Sequence, residues 1–293
     1  MQDFKRIVFA TDFSEASKQA LDFALRIARH HQAELHILHV KVAPHPGYMT
    51  FGSPELVAEI ASAQDMYADE LLEELVPEGY GARVVLATER NIGAAQGISD
   101  YADRQGSDLI IVGSHGYSGF EKVILGSEAL KLLRLANVPL LIVKSGIDGE
   151  QGGTIPFSRL LAPVDLSPAS QAMLRQADAL AERYGAELVV MHSLDMVTPT
   201  HYSFMQSIVK LPQARQELGG FVAEAALRTK PKEVITEAPA AQGIADTATN
   251  MGADLIVISR TGLSGWRRFW VGSVTERVLN ITSCPVLVLP TAG

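Results

Sequence analysis

Residues 94–143 begin with AAQGISDYADRQGSDLIIV, and residues 240–289 begin with AAQGIADTATNMGADLIVI. The two stretches are identical at 19 of 50 aligned positions. A second match relates residues 6–39 to residues 159–192, with 12 identities in 34 positions. The period of about 150 residues is far too long for a solenoid repeat, so the sequence predicts two homologous domains in tandem.

The domain boundaries follow from a change in composition between the repeats. Residues 145–158 read SGIDGEQGGTIPFS, and a Gly-rich polar stretch of this kind is typical of a linker. The first domain is therefore predicted over residues 1–144 and the second over residues 159–293. A chain of 293 residues has the length of two average domains, which agrees with this division.

Each domain alternates short apolar runs of strand length with amphipathic helical patterns. In the first domain, strands are predicted at residues 7–10, 35–40, 82–87, 109–112 and 140–143. Helices are predicted at residues 54–75, 94–105 and 128–135, and the second domain has a counterpart of the first of these at residues 206–226. Apolar strands that alternate with helices are typical of a parallel sheet buried on both faces, so the fold class is α/β.

The composition excludes several classes of protein. Hydrophobic residues make up 47% and charged residues 20%, as in an ordinary globular protein, and the net charge is -8. An acidic chain lacks the positive field that attracts nucleic acid or an anionic membrane surface, so neither is expected as a partner. The single Cys284 excludes an internal disulfide. The sequence shows neither a signal peptide nor an apolar run of ~18 residues, which predicts a cytoplasmic protein.

A glycine-rich loop follows the fourth strand, at the edge where parallel α/β sheets bind ligands. It runs from Gly113 to Gly116, and nine residues later come Gly126 and Ser127. Gly113 and Gly116 permit a positive φ and a close approach to a ligand. Ser127 is predicted at the N-cap of the next helix, where free N–H groups and the dipole favour a phosphate. The loop is interpreted as an anion site; the alternative is a turn whose glycines only satisfy the backbone geometry.

Asp12 follows the first strand at the same edge and either binds the ligand or caps the next helix. Because Ser14 can also cap that helix, the ligand-binding role is favoured for Asp12. Cys284 is predicted to be a small buried apolar residue.

Four histidines of the first domain lie close together in sequence: His30, His31, His36 and His39. No metal site is predicted from them, because no cysteine or suitably spaced histidine completes a ligand set. His39 recurs as His192 in the second domain, which suggests a shared structural role at the end of strand two.

This combination of motifs resembles the universal stress protein family. The family pattern is G-2x-G-9x-G-(S/T) after an apolar strand, with an Asp after strand one, and it covers nearly the whole chain, once per domain. The resemblance implies an open five-stranded parallel sheet in each domain, of the adenine nucleotide alpha hydrolase-like type, and dimerisation. In one branch of the family it also implies ATP or AMP as the bound cofactor, with or without Mg²⁺.

The resemblance assigns the nucleotide-binding residues of the first domain to Asp12, Val40, Gly113, Gly116, Gly126 and Ser127. Asp12 would lie beside the base and ribose, the Val40 backbone would contact the adenine edge, and the remaining residues would hold the phosphates. Relatives with one domain pair through their last strands, so residues 140–143 and 286–289 are expected to pair within the chain. The result would be a pseudo-dimer, and a homodimer of whole chains stays open.

The second domain departs from this pattern. Its weaker candidate site consists of Asp165, Gly262, Gly272 and Ser273. Ser259 replaces the first loop glycine, and its Cβ is expected to crowd a ligand or to prevent a positive φ. The stretch from Ser273 to Glu276 also has the form of a capping box. The first domain is therefore expected to be the better site.

Two further segments have open interpretations. The segment Trp266–Trp270 contains both tryptophans and two arginines, which either clamp phosphates or pack against the neighbouring domain. The loop at residues 41–52 is either a lid over the site or a variable surface loop.

Three functions fit these observations. The leading hypothesis is a nucleotide-binding stress sensor or regulator without a dedicated catalytic activity, and no catalytic residue is predicted. The second is a slow ATPase or nucleotidyl-transfer enzyme on the same fold. The third is an interaction scaffold that binds no nucleotide, against which the intact glycine motif of the first domain argues.

Overall fold

The computed structural model describes residues 3–42, 66–81, 83–114, 125–144, 157–194, 202–261 and 271–290. Its strands are β1 (Arg6–Ala10), β2 (Glu34–Val42), β3 (Val84–Asn91), β4 (Leu109–Gly113), β5 (Leu140–Val143), β6 (Arg159–Pro163), β7 (Glu187–Ser193), β8 (Lys232–Thr236), β9 (Leu255–Ser259) and β10 (Val286–Leu289). Its helices are α1 (Glu15–His31), α2, which is described over residues 66–74, α3 (Ala94–Gln105), α4 (Ser127–Leu135), α5 (Pro168–Tyr184), α6 (Tyr202–Ala225), α7 (Ala240–Met251) and α8 (Ser273–Ile281).

The strands form one continuous sheet in the order β3-β2-β1-β4-β5-β10-β9-β6-β7-β8. Within each half, neighbouring strands run parallel, as in the pairs β1–β2, β4–β5, β6–β7 and β9–β10. In contrast, β5 and β10 pair antiparallel, with Leu141 opposite Leu287. Two five-stranded parallel units therefore meet at one antiparallel junction, which confirms the predicted fold class and the predicted pairing of the last strands.

The predicted linker, residues 145–158, lies outside the described residues except for its last two positions. Phe157 is 2% exposed, and its ring lies 6.0 Å from that of Phe23 and 5.5 Å from that of Tyr184. Ser158 donates from its backbone N to Asp254 Oδ2 at 2.7 Å. Phe157 therefore belongs to the folded core, where it fills space between the helices of both halves, and Ser158 is fixed at the surface by Asp254.

Two buried cations connect the halves beside the central strands. Lys144 directly follows β5, and its ammonium donates to the carbonyl of Leu279 in the last turn of α8. In the opposite direction, Arg260 follows β9 and donates to the carbonyl of Ala136 at the C-cap of α4, at 2.8 Å. Both cations lie at helix C-termini, where the helix dipole stabilises positive charge. Burial nevertheless lowers the pKa of Lys144 to about 8.

His31 joins the halves on the other face of the sheet. The backbone N of Phe4 donates to His31 Nδ1 at 3.3 Å, so the neutral ring carries its proton on Nε2, which lies 2.9 Å from Tyr184 Oη. The pKa of His31 is lowered to about 4, chiefly by burial and also by the neighbouring His30 and Arg183, against a smaller opposite effect of Asp3. The contact between α1 and α5 therefore requires a neutral imidazole.

Mild acid is expected to destabilise the chain through His31. Below pH 6.5 the unfolded chain takes up a proton that the folded chain excludes until the pH approaches 4, so stability falls across this window. We expect this residue to lower the free energy of unfolding by about 2 kcal/mol between pH 7 and pH 5. Urea unfolding of the wild type and of His31→Phe at pH 7 and at pH 5 measures this change in the free energy of unfolding. Equal pH slopes in the two proteins would contradict the assignment.

In the described part of the chain, no helix combines the length and the apolar character that a membrane span requires.

Candidate functional site

A cavity lies at the carboxyl ends of the strands in each half, where the strand order changes direction. The first cavity has a volume of about 250 Å³, and its walls include Asp12, His39, Val40, Gly113, Gly126, Ser127 and Glu128. The second cavity has a volume of about 420 Å³, and its walls include Asp165, His192, Ser193, Ser259, Gly272, Ser273 and Val274. The described site residues of each half are therefore brought together in one cavity.

The loop after β1 places Asp12 in the wall of the first cavity. Asp12 Oδ1 accepts hydrogen bonds from the backbone N and the hydroxyl of Ser14, at 3.0 and 2.6 Å. Ser14 itself is the N-cap of α1 and accepts from the backbone N of Ser17. Asp12 therefore does not cap the helix, and its second carboxylate oxygen has no partner in the described part of the chain. Asp165 accepts from Ser167 N at 3.1 Å in the same way.

The residue after each of these aspartates has a strained backbone. Phe13 has a φ of 64° and Leu166 a φ of 60°, a region that bulky side chains seldom adopt. Such strain concentrates at functional sites because the surrounding contacts must hold it in place. No motif in the sequence indicates this conformation.

His39 and His192 bind the loops after β1 and β6. Their Nδ1 atoms lie 2.9 Å from the carbonyl oxygen of Thr11 and 2.8 Å from that of Val164. A carbonyl only accepts, so Nδ1 carries the proton and Nε2 of the neutral ring can accept a hydrogen bond. The predicted shared structural role of the two histidines is confirmed.

Gly113 is required for a reason other than the predicted one. It is the last residue of β4, and its φ is not positive. A Cβ at this position would lie 2.9 Å from the carbonyl oxygen of Ala16, so the glycine permits α1 to pack closely on the strand. The predicted positive φ at Gly113 is therefore wrong.

Ser259 occupies the equivalent position in the second half. Its hydroxyl donates to the carbonyl of Thr261 at 2.9 Å. Ser259 lines the second cavity, which is the larger of the two. The expectation that Ser259 crowds a ligand, and with it that the first domain is the better site, stays a prediction.

The helices that follow the glycine loops begin without a side-chain cap. Gly126 and Gly272 are the N-caps of α4 and α8, and a glycine N-cap has no side chain that could accept from the first amides of its helix. The predictions that Ser127 is an N-cap and that Ser273 begins a capping box are therefore wrong by one residue. Since the first amides of a helix have no partner within it, those of α4 and α8 are available to an anion in the cavity.

Glu128 is a cavity residue that no motif in the sequence indicates. Its Oε2 accepts from the backbone N of Ala95 in the first turn of α3 at 3.0 Å, and its Oε1 accepts from Lys131 at 2.6 Å. Burial alone raises the pKa of Glu128, but the hydrogen bonds from Lys131 and Ala95 outweigh it and lower the pKa below its usual value. The first cavity therefore contains an ionised carboxylate beside the start of α4.

The end of strand two differs between the halves. Val40 is buried, and a Cβ at Gly97 would lie 2.7 Å from its Cγ1, so α3 packs tightly on this part of β2. Ser193 replaces Val40 in the second half and donates its hydroxyl to the carbonyl of Ala238 before α7.

The remaining side chains of interest have structural partners. His36 is buried between Glu34 Oε1, 2.8 Å from its Nε2, and Tyr101 Oη, 2.7 Å from its Nδ1. Cys284 is buried, as predicted, and burial raises the pKa of its thiol to about 12. Among the described residues, no group of three or more metal-ligating side chains is present.

Several predicted residues lie outside the described part of the chain. They are Gly116, Gly262, the segment Trp266–Trp270 and most of the loop at residues 41–52. Their roles stay predictions.

Comparison with known proteins agrees with this architecture. The sequence model of the universal stress protein family matches residues 3–144 and residues 156–290. A universal stress protein of Mycolicibacterium smegmatis is 25% identical in an alignment that covers 97% of this chain and 96% of the relative. A universal stress protein of Methanocaldococcus jannaschii is 31% identical over 48% of this chain and 82% of its own. A solved universal stress protein of Archaeoglobus fulgidus has the same fold, with a TM-score of 0.69, 19% identity and full coverage of both chains.

Proposed function

The chain belongs to the universal stress protein family in its tandem form, and on this premise we propose that it binds adenine nucleotides in its two cavities. In this proposal the first cavity uses Asp12, Val40, Gly113, Gly116, Gly126 and Ser127. The second cavity uses Asp165, Gly262, Gly272 and Ser273. The protein then acts as a stress-response regulator whose state depends on the bound nucleotide.

One observation carries this proposal. In each half, a helix with a glycine N-cap begins at a cavity that is also lined by an aspartate, and the residue after this aspartate has a strained backbone. The free amides suit a phosphate, and the aspartate suits a ribose hydroxyl or a base amine. The second cavity, of about 420 Å³, has a volume usual for small-molecule sites, and the first, of about 250 Å³, lies just below that range.

The first test identifies the bound ligand directly. Freshly purified protein is denatured, the released small molecules are identified by mass spectrometry, and the ratio of nucleotide to chain is measured. We expect an adenine nucleotide at one to two molecules per chain, or saturable binding when AMP or ATP is added to the protein. Neither release nor binding would favour the nucleotide-free scaffold.

Replacing Asp12 by alanine is expected to weaken AMP binding to the first cavity by about tenfold or more, because a hydrogen bond to a charged group contributes ~1.5–3 kcal/mol. Asp12→Asn provides a finer comparison, since its amide oxygen can still accept from Ser14 and keep the loop in place. Asp22→Ala removes an exposed carboxylate of α1 and is the matched control. Calorimetric titration with AMP measures all three. Unchanged affinity in Asp12→Ala would exclude Asp12 from the site.

A slow ATPase is the alternative that the same preparations test. Release of inorganic phosphate that requires Mg²⁺ and disappears in Asp12→Ala would support an enzyme. ATP that is bound and recovered intact would support the regulator.

A further inference from the structure

The two cavities differ in charge at one equivalent position. Glu128 is the second residue of α4, and Val274 is the second residue of α8. Both line their cavities. The walls of the first cavity thus carry two carboxylates, those of Asp12 and Glu128, whereas Asp165 is the only carboxylate in the described walls of the second.

Glu128 also removes an anion-binding group from the first cavity. Both α3 and α7 begin beside a cavity and lack a side-chain hydrogen bond from their own N-caps, Gly93 and Pro239. In the first half, Glu128 Oε2 accepts a hydrogen bond from the amide of Ala95, so this amide at the start of α3 is not free to bind an anion. The side chain of Val274 contains no hydrogen-bond acceptor and cannot do the same at the start of α7. The second cavity therefore adjoins two helix N-termini whose own N-caps, Gly272 and Pro239, supply no side-chain hydrogen bond, whereas in the first half Glu128 occupies one of the two corresponding helix starts.

We propose that Glu128 and Val274 determine the charge of the nucleotide that each cavity accepts. The first cavity takes a nucleoside monophosphate, and the second takes a nucleoside polyphosphate. This inference rests on the proposed function and adds a difference between the two sites. The volumes agree with it, since the second cavity is larger by about 170 Å³ (420 less 250).

The physical reason is electrostatic. A triphosphate carries three to four negative charges, and an ionised carboxylate within a few ångströms repels each of them more strongly in a partly buried site than in water. A monophosphate carries about half that charge, so Glu128 repels it less where it lies on the first amides of α4. In the second cavity the same triphosphate meets the apolar side chain of Val274 and the first amides of α7 and α8.

The test is a calorimetric titration of the full chain with AMP and with ATP in the presence of EDTA, so that no divalent cation bridges a phosphate and a carboxylate. We expect the wild type to bind one ATP per chain, and Asp165→Ala to lose that binding. Glu128→Gln keeps an acceptor for Ala95 and is expected to add a second ATP site, with an affinity at least tenfold above that of the wild-type first cavity. Val274→Glu is expected to weaken ATP binding about tenfold and AMP binding less than threefold.

A matched control removes a charge from the same turn of α8 without touching the cavity. Glu276 lies in that turn but does not line the second cavity, so Glu276→Gln should leave both titrations unchanged. Circular dichroism and thermal unfolding of each variant show that it is folded. Equal ATP affinity of the two wild-type cavities, or an unchanged first cavity in Glu128→Gln, would overturn the inference and leave the proposed function standing. Failure of both AMP and ATP to bind anywhere would overturn the proposed function and this inference with it.

Discussion

Leu287→Asp is expected to lower the free energy of unfolding by about 4 kcal/mol or more. Leu287 lies in β10, is 2% exposed and faces Leu141 of β5 across the antiparallel junction. A carboxylate at this position would be buried between two sheet halves without a charged partner, which costs several kcal/mol. Since a whole domain is stable by only ~5–15 kcal/mol, this loss is a large part of the total.

Urea unfolding followed by circular dichroism measures this loss, and size-exclusion chromatography follows its consequence. If the junction opens, β5 and β10 become two apolar edge strands, which pair readily with other chains. We therefore expect the variant to elute as higher oligomers. Ile92→Asp is the control, because Ile92 is 89% exposed and should change stability by less than ~0.5 kcal/mol. If Leu287→Asp unfolded at the same urea concentration as the wild type, the junction between β5 and β10 would not contribute to stability as proposed.

The fold could be predicted because each half repeats local signals that do not depend on the other half. The helix at 94–105 and the strand at 140–143 appear in the structure with the predicted bounds. The first ends before Gly106, which adopts the left-handed conformation usual after a helix. The second is a short apolar run that begins directly after a proline. Such signals are contained within a few neighbouring residues.

The contacts between the halves could not be predicted from the repeat. In the aligned repeats, Lys144 corresponds to Pro290, and Arg260 corresponds to Ser114. The hydrogen bonds that Lys144 and Arg260 donate to the opposite half therefore have no equivalent in the repeat. His31 contacts Tyr184, which occupies the same position in the second repeat 153 residues further along the chain, but the repeat does not indicate that these two equivalent positions meet. These contacts depend on the relative position of two folded units, which no local pattern contains.

The sequence predicts part of the lining of the first cavity but not its details. The places of Asp12, Gly113 and Gly126 after apolar strands indicate that they lie at this edge of the sheet, and all three line the cavity. Glu128 was missed because its role depends on reaching the start of α3, 33 residues away. The N-cap was placed one residue late because serine is a common N-cap and glycine is also accepted there. Only the backbone dihedrals of the structure distinguish the two positions.

Gly113→Val is expected to destabilise the chain by about 3 kcal/mol and to disturb the first cavity. The added Cβ would lie 2.9 Å from the oxygen and 3.0 Å from the carbon of the Ala16 carbonyl. Both are backbone atoms of α1, so relief requires the helix itself to move away from β4. That movement would carry the N-cap Ser14 with it, and Ser14 is the residue that holds Asp12 in the cavity wall.

The expected result therefore has two parts, a lower unfolding midpoint and weaker AMP binding to the first cavity. Gly81→Ala is the control, because no atom lies within 4 Å of a Cβ there, and it should change stability by only a few tenths of a kcal/mol. The second half already accommodates the Cβ of Ser259 at the equivalent position, so nucleotide binding to the second cavity should persist in Gly113→Val. Full stability of this variant would mean that α1 and β4 are less tightly packed than their close approach at Ala16 indicates. Lost stability with unchanged AMP affinity would separate the packing role of Gly113 from the proposed binding site.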